Sequence, residues 1–398
     1  MDTATTIRAW AILAIVFLAM GVSLGGSFYA FGLFVPSLEE QFGWTRTQIS
    51  ASLSFVAIGS LSAPLLGRLM DRYGARPILV FSLTLAGVSY FLRPLMTELW
   101  HWYALSFFQF FAFAGATTLP TGRLVALWFA NRRESIMGVA SSGPNFGGLV
   151  IPPLIAVVMV SSGWEMSSVV LGFISIAIAI SALIVVRETP TASGAGNSHD
   201  TSTLTGTNVG DALRSRTFYA ITLALLMAFF VYSVLLPHIV THLTTEGLSL
   251  PVASMALASF AATGIVGKIG FGMLAGKVGS RWAFFLDLLG LALFSFLTLW
   301  VAIPGVVWVV LPCLGLFLGG VGVLSTLVIQ EAFGLRHFGT ISGLANLATV
   351  LSFGLGPLLV GASYDYTGSY ASAFVTVAVL FLSGAFILLL VRPVHVST

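Results

Sequence analysis

"GRLMDRYGAR" at 67–76 returns as "GMLAGKVGSR" at 272–281. At this offset of 205 residues (272 minus 67), a glycine, a leucine, a basic residue, a second glycine and an arginine fall in register. The same offset sets Gly115 on Gly320, Gly138 on Gly343, Pro152 on Pro357 and Gly163 on Gly368. A single shift that serves so much of the chain means that it is written twice, as two parallel repeats. What is repeated is a series of apolar runs of about 20 residues, long enough to cross a hydrocarbon layer as helices.

Twelve such runs are read from the sequence. Six lie at 8–35, 46–70, 77–97, 101–129, 134–161 and 165–187, and six at 213–242, 250–275, 282–302, 305–333, 339–364 and 370–391. Of the 398 residues, 57% are apolar and only 8% charged, and the mean hydropathy is +1.01. This is the composition of an integral membrane protein. The runs lack strand alternation, and backbone groups in lipid must pair within their own segment, so the expected class is all-α. The 42 glycines suit close helix packing in lipid. The opening "MDTATTIRAW" is weakly basic and no small-residue cleavage site follows it, so it reads as the start of an uncleaved helix. Cys313 is the single cysteine, which excludes a disulfide framework.

Lysines and arginines orient the chain. With both termini cytoplasmic, 13 of the 17 fall on inner loops and helix ends, among them Arg68, Arg132, Arg133, Arg281, Arg336 and Arg392. The outer side keeps Arg46 and Arg93, as the positive-inside rule predicts for a multi-pass protein of a cell (inner) membrane. The net charge of +3 therefore reflects topology and gives no reason to expect nucleic acid as a partner. Residues 189–210, rich in Ser, Thr and Gly, have the composition of a flexible linker. The expected organisation is a six-helix bundle over 1–188, a cytoplasmic linker over 189–210 and a second bundle over 211–398. Two parallel bundles of six can rock about a site near the bilayer midplane, which is how a carrier works.

"GRLMDRYGARPIL" (67–79) resembles the signature loop of the major facilitator superfamily. In that family the loop latches one conformational state, which makes Asp71, Arg72 and Arg76 candidate gating residues. Asp71 is expected near the positive end of a helix. Gly276 stands in its place in the second copy, so the full latch is expected only in the first half. Four further stretches, "YAFGLFVPSLEEQFGWTRTQIS" (29–50), "WFANRRESIMGVASSGPNFG" (128–147), "DALRSRTFY" (211–219) and "GKIGFGMLAGKVGSR" (267–281), resemble the monocarboxylate porter and oxalate:formate antiporter group. That resemblance implies a small carboxylate as substrate, no cofactor, and a basic residue in helix 8 that meets the substrate carboxylate. Lys268 occupies the matching position, with the charge kept and the bidentate fork of an arginine lost. The acid that animal members carry one turn earlier is replaced by Gly264, and the helix-11 cation of the oxalate-type carriers by Thr349.

Lys268 has no acid within ten residues on either side and lies about 12 Å from the cytoplasmic end of its helix. Contact with a substrate anion, an interhelical bond, and snorkelling to the inner surface are its three readings. Arg123, in helix 4, either binds a second carboxylate, pairs with Glu331 on helix 10 to close an inner gate, snorkels, or pairs in a purely structural role. Glu331 and Asp287 are the least peripheral acids and are both expected near the inner surface, so the sequence displays no carboxylate at mid-depth for a proton relay. His238 and His242 read as outer-gate hydrogen-bonding groups or as solvated surface side chains, with a metal pair the remote alternative. Tyr29 and Tyr232 either bracket the substrate or pack. Asn145 and Asn346 either reach the substrate or bond between helices.

No phosphate-cradling loop and no nucleophile with its base occurs, so neither an ATP-driven pump nor an enzyme is expected. The reading is a secondary transporter of mono- or dicarboxylates, working by alternating access as a proton symporter or an anion exchanger, and functional as a monomer. Its partners are the carboxylate, the lipid bilayer and, for symport, protons. A drug/proton antiporter and a non-transporting sensor of the same fold are the alternatives. The antiporter would carry an arginine early in helix 4, where this chain has Phe111.

Overall fold

The computed structural model describes residues 3–129, 133–188, 206–334 and 337–391. Most of the expected linker (189–205) and the loop cations Arg132, Arg336 and Arg392 lie outside the described residues. Ten helices are long and apolar enough to cross a membrane, or eleven when the pair Leu99–Phe111 and Phe113–Trp128, bent by 50°, is one span. The longest, Ile136–Val185, breaks at Gly163, whose φ of 83° and ψ of 176° are not helical. Dividing it there brings eleven to twelve among the described residues.

In chain order the spans are α1 (Thr6–Tyr29), α2 (Arg46–Tyr73), α3 (Ala75–Leu95), the bent α4 (Leu99–Phe111 with Phe113–Trp128), and α5 and α6, the parts of Ile136–Val185 before and after Gly163. They continue as α7 (Arg216–Thr245), α8 (Leu250–Val278), α9 (Ser280–Trp300), α10 (Val307–Phe333), α11 (Thr340–Thr367) and α12 (Ala371–Leu388). The described residues form two compact units. One is Met1–Gly196 with Ser249–Ala258, and the other is Asn197–Leu248 with Ser259–Thr398.

The repeat is visible in detail within each unit. α2 meets α3 at Gly74, where φ is 91°, and α8 meets α9 at Gly279, where φ is 86°. Positive φ costs glycine nothing and most other residues a great deal, which explains the glycine in each copy of the loop. Helix α1 contains a π-turn over Gly25–Tyr29 and helix α7 one over Val231–Leu235, one residue off the repeat spacing. Such turns widen a helix locally and often mark functional sites.

Close crossings are built on glycine. A methyl added to Gly147 of α5 would overlap the carbonyl of Gly21 on α1. In the second unit, Gly267 of α8 meets the carbonyl of Leu316, and Gly315 of α10 meets that of Phe260. Backbone approaches of this kind replace the hydrophobic drive that lipid cannot supply between helices. At the start of α2, Thr45 and Gln48 form a reciprocal capping box, with Gln48 N donating to Thr45 Oγ1 (3.2 Å) and Thr45 N to Gln48 Oε1 (2.9 Å).

Candidate functional site

Lys268 lies ten residues before the end of α8 (278 minus 268), or about 15 Å by the helical rise, close to half of a 30 Å hydrocarbon layer. It is half-buried. The neighbouring Gly264 and Gly267 press α8 onto α10, so that a methyl on Gly319 would overlap the Gly264 carbonyl and the Lys268 amide. The crossing fixes the lysine's backbone.

Arg123 is held by ion pairs within its own unit, the structural pairing among the settings expected for it. Its Nε and Nη2 each donate to one oxygen of Glu188, both at 3.0 Å, and its Nη1 donates to Asp71 Oδ1 at 3.2 Å. Glu188 Oε1 also accepts from the backbone N–H of Ala75, at 2.5 Å. The carboxylate at the start of α3 is therefore Glu188, from the end of α6, while Asp71, expected there, is largely exposed and answers Arg123. A carboxylate on the first amide of a helix complements its dipole.

The second unit solves the same problem with another helix. Glu331 of α10 accepts from Ser280 N at 2.7 Å and from the Ser280 hydroxyl at the start of α9. Position 280 is the repeat partner of 75 (280 minus 75 is 205). Arg123 thus engages Glu188 and Asp71, and Glu331 engages Ser280; the expected pairing of Arg123 with Glu331 is not what either carries. Of the remaining loop residues, Arg72 stands over the ring of Tyr73 at 5.2 Å, and Arg76 is half-buried with its Nε unpartnered.

Tyr29 is buried in the π-turn of α1, its ring flush against Gly148 of α5. Asn145, on α5, is buried as well. Asn346 bonds within its own helix, its Nδ2 donating to the carbonyl of Ser342 at 2.8 Å and to that residue's hydroxyl at 3.2 Å. Tyr232, in the π-turn of α7, is half-buried. The reading of His238 and His242 as solvated is overturned, because both are fully buried. His238 Nδ1 lies 2.9 Å from Val234 O, and His242 Nε2 lies 3.0 Å from Thr298 O. Rings of Tyr370 and Phe374 pack against them.

Two features escaped the sequence reading. The first is Arg93, an outer-side cation by its place in the sequence, which is only 5% exposed. Its guanidinium carbon sits 4.6 Å from the centre of the Tyr90 ring and 4.5 Å from that of Trp102. Its Nη2 donates to Gln109 Oε1 at 2.6 Å, and Gln109 Nε2 donates onward to Ser27 (2.7 Å) and Tyr90 (2.9 Å). Nothing in the local sequence marks this network.

The second is Asp287, expected near the inner surface. It is fully buried in α9, and neither of its carboxyl oxygens has a hydrogen-bond partner. It stands seven residues, about 10 Å, into its span. The signal available was that it is the only acid in the apolar run 282–302.

These features define a class: a multi-pass helical membrane protein built of two six-helix repeats, with charged side chains set inside its spans. The chain belongs to the Major Facilitator Superfamily, whose sequence profile matches residues 13–357. It is 24% identical to Monocarboxylate transporter 13 of Bos taurus over 92% of this chain and 85% of that protein. It is 27% identical to the class H tetracycline resistance protein of Pasteurella multocida over 77% of each. Its fold superposes, with a TM-score of 0.77 and 15% identity, on a crystal structure of a bacterial homolog to the human lysosomal transporter Spinster, covering 99% of this chain and 98% of that one. The chain is a membrane transporter of that superfamily.

Proposed function

We propose that the chain is a secondary active transporter of small organic anions, mono- or dicarboxylates, working by alternating access in a cell membrane with both termini cytoplasmic. The observation that carries this reading is Lys268, a cation ten residues before the end of a 29-residue membrane-spanning helix with no acid within ten residues of it in the sequence. A charge at that depth costs about 2.5–3.5 kcal/mol on insertion scales, and an anionic substrate offsets the cost by serving as its counter-ion. Similarity to a monocarboxylate transporter over most of both chains supports the same substrate class. Tyr232, Tyr29, Asn145 and Asn346 are proposed as the polar and aromatic complement of the site. Arg123 is assigned, with Asp71, Arg72 and Arg76, to the conformational latch, because its guanidinium is engaged by Glu188 and Asp71. Glu331 and His238 complete the proposed gating set.

A second reading, export of a drug-like compound in exchange for protons, is favoured by the similarity to a tetracycline resistance protein. Counterflow in proteoliposomes separates the two. Labelled formate, L-lactate, pyruvate and oxalate are offered in one series and tetracycline in another. Exchange of at least one carboxylate, lost in Lys268→Ala and kept in Lys268→Arg, supports anion transport. Tetracycline exchange without carboxylate exchange, or full activity of Lys268→Ala, overturns it.

A further inference from the structure

Asp287 has no role in the site proposed above, and packing does not explain it. Its carboxyl group lies against the backbone of Gly320 on α10, where a methyl would overlap Oδ1 of the acid and touch the ring of Phe271 from α8. The first repeat has the same arrangement. Gly115, the partner of Gly320 at the 205-residue offset, faces the hydroxyl of Ser82, the partner of Asp287 (287 minus 82). Ser82 is fully buried, and its hydroxyl is also without a hydrogen-bond partner. A glycine on the fourth helix of each repeat thus makes room for a small polar group on the third. In one unit a hydroxyl fills that room; in the other a carboxyl does. The fold needs only something small there, so the ionisable group is an addition beyond packing.

Its surroundings supply no fixed counter-charge. The phenol of Tyr232, from the π-turn of α7, lies within electrostatic reach of the carboxyl and does not bond to it. Helix α12 carries no titratable side chain over Ala371–Leu388. Helix α10 carries Cys313, which is half-buried, and Glu331, which is engaged with Ser280 at the start of α9. On α8 the contacting residue is Phe271, one turn beyond Lys268. As a carboxylate, Asp287 is an isolated buried charge; as an acid, it is a donor without an acceptor. Either state is left short of a partner, which is the property of a group whose occupancy changes during a cycle.

We propose that Asp287 is the proton-binding site of this transporter, taking one proton on a carboxyl oxygen from one side of the membrane and releasing it to the other with each substrate carried. The inference rests on the anion-transport reading for its direction. Transfer of a monocarboxylate with one proton is electroneutral in either direction, the O–H bond formed on loading being broken on release. Of the two couplings left open by the sequence, symport and exchange, this selects symport.

Two measurements test it. The first needs no substrate: infrared difference spectra of the reconstituted protein between acidic and alkaline buffer. A protonated-carboxyl band that titrates in the parent and is missing from Asp287→Asn and Asp287→Ser is the expected result. Serine is chosen because the first repeat already holds it at this position. Asp287 is the only fully buried acid among the described residues, so absence of any titrating band in the parent alone overturns the proposal, as does a band that survives in both variants.

The second uses whichever of formate, L-lactate, pyruvate and oxalate the parent exchanges. Accumulation driven by an imposed pH gradient should fall at least about tenfold in Asp287→Asn while counterflow stays within about twofold of the parent. Undiminished gradient-driven accumulation refutes the assignment. A parent that exchanges none of the four anions refutes the substrate class instead, and the infrared result still decides Asp287.

Discussion

Arg123 grips Glu188 with two nitrogens, each 3.0 Å from one carboxylate oxygen, across 65 residues of sequence. The pair ties α4 to the end of α6. Through Ala75 it reaches the start of α3, and through Asp71 the end of α2. Four helix ends of the first unit therefore meet on one guanidinium and one carboxylate. A bidentate, part-buried ion pair of this geometry is among the stronger kinds that proteins use. It gives the loop of 67–76 a fixed partner within its own unit.

Arg123→Gln and Glu188→Gln should each destabilise the protein, and the double variant should lose less than the sum of the two. A double-mutant cycle followed by denaturation in detergent is expected to return a coupling of about 1–3 kcal/mol. Asp71→Asn should cost less than about 1 kcal/mol, because that carboxylate is 77% exposed and its pairing is screened.

Gln109→Leu removes the acceptor of the buried Arg93 and should cost about 2–3 kcal/mol, the usual result of leaving a buried charged donor unsatisfied. Arg93→Leu combined with Gln109→Leu should be less destabilised than Gln109→Leu alone, since no charge is then left behind. Denaturation midpoints of the three proteins rank them directly.

Gly147→Ala places a methyl against the backbone of Gly21 and should destabilise by about 1–3 kcal/mol through forced separation of α1 and α5. Gly138→Ala meets nothing within 4 Å and sits in a helix, so it should be neutral or stabilising by up to about 1 kcal/mol. Melting temperatures of the two variants, purified side by side, check the contrast.

Glu331→Gln keeps an acceptor for Ser280 but removes the negative charge from the start of α9. The expected loss is about 1 kcal/mol, seen as a lowered denaturation midpoint. Glu331→Ala removes the acceptor as well and should lose more.

The architecture was legible because each of its determinants is local. An apolar run of span length declares a membrane helix without reference to any neighbour, and a glycine recurring between two such runs declares a turn that needs positive φ, as Gly74 and Gly279 confirm. The break at Gly163 was legible for the same reason. Side-chain partners were not. Lys268 could be placed in depth from its helix, but Arg123 gave no sign that Glu188, a residue at the edge of a different span, would hold it. The two histidines of α7 were ambiguous until the rings of Tyr370 and Phe374 were found over them.

The amino-acid order by itself determined the twelve spans, their grouping into two repeats and the membership of a carrier family, since entry into lipid depends on the hydrophobicity of each segment taken alone. Only the tertiary structure decided that Glu188 caps α3, that Arg93 is enclosed by aromatic rings, and that Asp287 is sealed from solvent against Gly320. These outcomes depend on which helices touch and on how each is rotated about its axis. In lipid that rotation is set by close backbone contact at glycines far apart in the chain, and no single segment contains it.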